Sequence, residues 1–228
     1  MRTLSFVTYY PSEHGWGLGP AAFELGSAYL RSDPLERLGG PVLADLAEQT
    51  NETAHLGILQ GNEVLVLCRK DPPGRFCTFV TTVGVRLPAH LTAMGRGILM
   101  ELPKSQLRAL YPLQAPLVRR TDKGFVLRAD LERELEQARA MEYVVDEGMT
   151  TLGITCIGVP VFSHENRPLA GMSISFISVH HGPQEWHELA SYVRQAAERL
   201  SRVLGWKGEA PETMESWAEP RLPAGVAR

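Results

Sequence analysis

An acid at Asp146 and a thiol at Cys156, ten residues further on, lead into the β-rich run from Ile154 to Phe162. Three kinds of chemistry suit that pair. With His90 or His55 as base and Asp146 as orienting group, Cys156 would be the nucleophile of a cysteine-dependent hydrolase, a set that acyl-transfer enzymes use. Against this, cysteine is among the most buried residue types, and Cys156 sits inside an apolar strand without the sharp turn that exposes a nucleophile. A metal held by His90, Asp146 and Cys156 is the second arrangement. His164, His180, His181 and His187 offer further ligands, but adjacent histidines in a strand point to opposite faces and the spacing matches no zinc pattern, so solvated histidines are expected there.

The third arrangement is the wall of a small-molecule pocket. Ser173 and Ser175 stand two apart on a strand, so both hydroxyls share a face, and Cys156 on the neighbouring strand can face the same way. The start of a helix at Ala93 would offer free backbone amides and a positive dipole end, which favour a carboxylate or another small anion. Each element also has an ordinary use, since strand serines bond equally well to backbone or water.

The elements that must position these groups follow from periodicity. Phe6–Tyr10 and Trp16–Leu18 read as a small hairpin around the turn Pro11–Gly15. Pro20 to Arg31 carries a helical stripe, and Ser32-Asp33-Pro34 caps a second helix that stops near Thr50. Thr53–Leu59, the turn Gln60-Gly-Asn62 and Glu63–Arg69 form a strand, turn and strand, and a third strand over 75–83 would complete an antiparallel meander. Thr92 stands in the N-cap slot of a short helix, Ala93 to Met100. A second short helix follows near Ser105 to Leu110, and an amphipathic helix over Leu127 to Tyr143. Ile154–Phe162 and Leu169–Ser178 are strands joined by a turn at 163–167, and a last helix spans about Gln184 to Leu204. The pattern predicts an α+β fold: an antiparallel sheet flanked by helices, a sensor-like (GAF/profilin-like) domain rather than a doubly wound enzyme.

Composition narrows the function. At 228 residues the chain makes one large domain or one with appendages, and 23 basic against 26 acidic residues leave a net charge of −3. No block of like charge marks a nucleic-acid arm. No apolar run is long enough for a membrane span and no signal peptide opens the chain, which predicts a cytoplasmic protein with no membrane partner. Cys68, Cys77 and Cys156 lie far apart, as suits free thiols in a reducing compartment. No cofactor is expected.

The segments Trp16–Gly26, Asn51–Leu56, Val83–Gly97 and Leu152–Phe162, followed by Ser173-Ile-Ser175, together resemble the IclR-type bacterial transcriptional regulators, in order, from about Phe6 to Leu204. The resemblance implies a non-enzymatic protein with an N-terminal winged helix-turn-helix and a C-terminal effector-binding domain, assembled as a homodimer or homotetramer. Residues 1–19 would be the wing hairpin, a remnant of the DNA-binding module. Residues 20–31 would be the linker helix, 32–206 the effector-binding domain and 207–228 a disordered tail. The recognition helix would lie upstream of Met1, so DNA would be met only through a module largely missing from this chain. In family members that sense small 2-oxo acids, the ligand carboxylate meets backbone amides at the positions of Ala93 and Met94. Polar side chains at the positions of Asp146, Cys156, Ser173 and Ser175 complete that pocket. The resemblance therefore implies a small carboxylate effector. The chain departs from the family's usual residues at Met94, Gly148-Met149 and Phe176, which bears on pocket volume.

Overall fold

The computed structural model describes residues 5–74, 81–113 and 115–208. A two-stranded hairpin, β1 (Val7–Tyr10) and β2 (Gly15–Leu18), precedes helix α1 (Pro20–Ser32). In β2 Trp16 is 73% and Leu18 79% exposed, and in α1 Phe23 is 79% exposed. Helix α2 (Pro34–Thr50) begins where expected, because the Asp33 carboxylate accepts the Leu35 amide at 2.8 Å and proline occupies the first turn, where no amide hydrogen is missed. It ends at Asn51, in the left-handed conformation at φ 54°, from which the chain turns into the sheet.

Among the described residues that sheet has six strands, antiparallel throughout: β3 (Thr53–Gln60), β4 (Glu63–Lys70), β5 (Arg86–Pro88), β6 (Val144–Glu147), β7 (Ile154–Phe162) and β8 (Pro168–Ile177). Their spatial order is β5-β4-β3-β8-β7-β6. Between β5 and β6 lie a 3₁₀ turn (Ala89–Leu91) and helices α3 (Ala93–Leu99), α4 (Lys104–Leu110) and α5 (Arg128–Met141); α6 (Pro183–Val203) closes the fold. The architecture is the expected α+β one.

Period-two alternation assigns the two faces. Ala54 and Leu56 of β3, Ile157, Val159 and Val161 of β7, and Ala170, Met172, Ile174 and Phe176 of β8 join a core with Leu43 and Leu46 of α2 and Val193 and Leu200 of α6. Full burial of a Leu, Ile or Val side chain stabilises by about 1.5–3 kcal/mol, so this face holds the sheet to its two long helices. The residues between them are small or polar: Thr53, His55 and Gly57; Cys156, Gly158 and Pro160; Gly171, Ser173 and Ser175. They face α3, whose side of the sheet has a second core with α5, including Leu99, Leu131 and Leu135.

Two expectations are corrected, and one falls mostly outside the described residues. The third strand predicted over 75–83 falls largely on residues 75–80, outside the described residues; Thr81–Val83 is not strand, and β5 instead pairs with β4 through Val64↔Leu87. The helix predicted to Tyr143 stops at Met141, because Glu142 turns left-handed at φ 64°. The residues after it form β6, a strand the periodicity did not reveal. Of the tail predicted over 207–228, residues 209–228 lie outside the described residues.

Candidate functional site

The site is a row across the sheet. Asp146 pairs with Cys156, Cys156 with Ser175, and Ser175 with Thr53, so all four side chains project to one face. The next row holds Val144, Gly158, Ser173 and His55. Thus Asp146, Cys156, Ser173 and Ser175 stand together, and the ten-residue spacing of acid and thiol is that of two partners across an antiparallel pair, β6 and β7, joined by residues 148–153.

Helix α3 closes the space above. Its axis lies against Gly158 and Gly171, where side chains would obstruct it: a β-carbon at Gly158 would come within 2.7 Å of the Met94 nitrogen, and one at Gly171 within 2.7 Å of the Met94 carbonyl carbon. This close approach brings Ala93 and Met94 over the polar row. The Thr92 hydroxyl accepts the Gly95 amide at 3.0 Å, while the amides of Ala93 and Met94, in the first turn, have no acceptor within the helix. With only seven residues in α3, its dipole is short, and these amides act as individual donors.

Between helix and row lies a cavity of about 140 Å³ lined by all six expected residues, Ala93, Met94, Asp146, Cys156, Ser173 and Ser175. Thr81, Thr92, Thr150, Thr151, Leu152 and Ile154 complete the wall. A single water needs about 10–15 Å³ and drug-sized ligand sites span about 300–1,000 Å³, so this space suits a small organic molecule. A more open groove of about 680 Å³ between β7, α5 and α6 is lined by none of the six.

Hydrogen bonds order the wall. The Cys156 thiol lies 3.1 Å from the Ser175 hydroxyl, Ser175 lies 3.4 Å from His55 Nδ1, and His55 Nε2 lies 2.8 Å from the Thr81 hydroxyl. The Met149 amide donates to Asp146 Oδ1 at 2.7 Å, and Thr150 donates to the Leu91 carbonyl at 3.3 Å. Burial raises the Asp146 carboxyl above its ordinary range, against the pull of the Arg96 charge and of the Met149 and Thr150 hydrogen bonds. Burial, with the neighbouring Asp146, pushes the Cys156 thiol up to about 12. Burial, with Arg69, drives His55 down to about 3. Thiol and imidazole are therefore both neutral near pH 7.

These facts overturn the hydrolase reading. A nucleophilic cysteine needs its thiolate within reach of a base, whereas Cys156 is a partly buried, protonated thiol that hydrogen-bonds to the Ser175 hydroxyl. His90 serves elsewhere: its Nε2 lies 2.8 Å from the Val118 carbonyl and its ring stands edge-on to Tyr111 at 5.5 Å. The metal arrangement of His90, Asp146 and Cys156 likewise comes apart, and among the described residues no group of three His, Cys, Asp or Glu is placed to hold an ion. His181, expected to be solvated, lies 3.1 Å from Glu52 and 3.3 Å from Glu185.

Residues outside the predicted set matter too. Arg96 is fully buried. It donates to Glu134 Oε1 and to the Val145 carbonyl, both at 2.8 Å, and its guanidinium stands 5.4 Å from the Phe125 ring centre. In the sequence it is one basic residue in a short helix, and only the flanking Gly95 and Gly97 hint at close packing. The wall segment Thr150–Leu152 had no periodic signal.

The family described as "Bacterial transcriptional regulator IclR C-terminal" matches residues 27–202. The HTH-type transcriptional repressor AllR of Klebsiella pneumoniae is 30% identical over 205 residues, covering 89% of this chain and 74% of that protein. The HTH-type transcriptional regulator BhcR of Paracoccus denitrificans (strain Pd 1222) is 32% identical over 197 residues, covering 86% and 70%. Among solved structures, the Thermotoga maritima IclR superposes with a TM-score of 0.78 at 29% identity, covering 89% of this chain and 81% of that one.

Proposed function

Because the chain belongs to the IclR family of bacterial transcriptional regulators, we propose that its cavity receives a small carboxylate effector and that binding there modulates DNA recognition. The observation that carries this reading is the convergence of Ala93, Met94, Asp146, Cys156, Ser173 and Ser175 on one cavity of about 140 Å³. The α3 amides would take the carboxylate, and the Ser173 and Ser175 hydroxyls the remaining polar atoms. Asp146 would accept from a ligand hydroxyl or a hydrated oxo group. Neutral Cys156 and His55 fit a binding wall rather than a reacting one.

In this reading β1 and β2 are the wing of the DNA-binding module, α1 is the linker, and the six-stranded sheet with its helices is the sensor. The exposed Trp16, Leu18 and Phe23 suit surfaces that a second subunit or the rest of that module would cover, in a homodimer or homotetramer. Coupling would be a population shift, moved only by the effector's differential affinity for the two states. Among the described residues no helix is long and apolar enough to cross a membrane.

A melting screen of small carboxylates, phenolic acids and sugar acids tests the proposal. A ligand at one hundred times its Kd adds about 2.7 kcal/mol, or about 5–10 °C for a chain of this size. No stabilisation by any acid of the panel would refute it.

A further inference from the structure

An anion moved into an enclosed cavity loses its hydration, and that cost must be met by positive charge or by hydrogen bonds. Among the described residues lining the cavity there is no Lys, Arg or His, and the wall already holds the Asp146 carboxyl. Any positive charge that adds to the amide and hydroxyl donors must therefore act from behind the wall. Arg96 is so placed. It sits on α3, whose first residues form the roof, and its guanidinium holds the carbonyl of Val145, the residue before Asp146. Its charge acts on both Asp146 and Cys156, two groups of the wall.

Its own partners neutralise it incompletely. One carboxylate, Glu134, meets it at 2.8 Å, and that side chain is 29% exposed, so water screens it. The Val145 carbonyl carries no net charge, and the Arg96 Nε has no hydrogen-bond partner. The other carboxyl that acts on it, Asp146, belongs to the cavity wall, where burial raises it toward its neutral form, so the Arg96 charge is felt on the cavity side.

We propose that Arg96 is the residue that makes this cavity select an anion over a neutral molecule of the same shape. It is a positioning residue that touches no ligand, acting through its field and through its hold on β6. The inference rests on the carboxylate reading above.

The test measures charge discrimination rather than affinity alone. Pyruvate and pyruvamide share a skeleton and differ in charge; where another acid of the panel stabilises the protein more, that acid and its primary amide take their place. Calorimetry yields the ratio of the amide's Kd to the acid's Kd, which is the charge discrimination. Arg96→Met should lower that ratio by about tenfold or more, and Arg96→Lys should keep it within about threefold of wild type, since the charge remains. Glu134→Gln removes the counter-ion from an outer helix without touching the cavity. It should raise the ratio by about threefold or more, which keeps the inference testable if Arg96→Met does not fold. A merely structural tie between α3, α5 and β6 would weaken both ligands alike and leave the ratio unmoved. An unchanged ratio in Glu134→Gln and in folded Arg96→Met overturns this inference alone. Failure of every acid to bind wild-type protein overturns it together with the carboxylate reading.

Discussion

His55 makes the fold sensitive to acid by an amount that can be worked out. Its ring is fully buried, and burial lowers its pKa from 6.5 to about 3. The unfolded chain takes up a proton as pH falls through about 6.5, while the folded chain refuses it until about 3, so stability present above pH 6.5 is lost on acidification. The complete loss, below both values, is 3.5 pKa units, or about 5 kcal/mol. At pH 5 the unfolded state binds the proton about thirtyfold better than it stays bare, which is a loss of about 2 kcal/mol. That figure depends almost wholly on the unfolded-state pKa, because at pH 5 the buried ring is neutral. His55→Gln cannot titrate but keeps a polar group facing Thr81 and Ser175. Urea unfolding of both proteins at about pH 7.5 and about pH 5 should show wild type losing about 2 kcal/mol more than the variant, a midpoint difference of about 1 M. A constant offset between them is the ordinary cost of altering a buried residue. Equal losses on acidification, within about 0.5 kcal/mol, would refute the burial argument.

Three further outcomes follow from the site. Ser173→Ala and Ser175→Ala should each weaken a bound carboxylate by about 10- to 100-fold while the fold survives, since a hydrogen bond to a charged group is worth about 1.5–3 kcal/mol; calorimetry finding wild-type affinity in both removes the ligand from β8. Asp146→Asn should weaken a ligand that carries a hydroxyl or hydrated oxo group and leave a plain carboxylate bound as well or better, because it keeps shape and removes charge; unchanged affinity for both types assigns Asp146 to the scaffold. Gly171→Ala should lift α3 from the sheet, costing about 1–3 kcal/mol and lowering the Tm by about 2–12 °C, with effector stabilisation lost; a melting curve and ligand response like wild type would show that the helix does not need this close seat.

Much of this was legible in the sequence where a period was long enough to read. The alternation through Leu169–Ile177, apolar at Ala170, Met172, Ile174 and Phe176 and small or polar between, announces a strand buried on one face and open to a site on the other. Thr92 announces the helix that roofs it. Asp146 was harder to place, because β6 has only four residues, too few for alternation to emerge after a helix. The roles of Arg96 and of Thr150–Leu152 depend on contacts with Glu134, Val145 and Leu91, residues remote in the chain, and no local pattern encodes such meetings. The hydrolase reading came from residue types alone, and it failed on protonation, which burial decides.

The glycine seat of α3 bears on how such a sensor can diversify. At Gly158 and Gly171 the helix meets the sheet main chain to main chain, so the height of the cavity roof is set by atoms that mutation does not exchange. A lineage acquiring a new effector cannot enlarge the space by raising the helix without losing the fold's fit. Change must instead accumulate at positions that project from this fixed frame, such as Met94, Thr81 and Thr150–Leu152. The backbone then works as a gauge of constant dimension, and a few exchangeable side chains hold the chemical vocabulary.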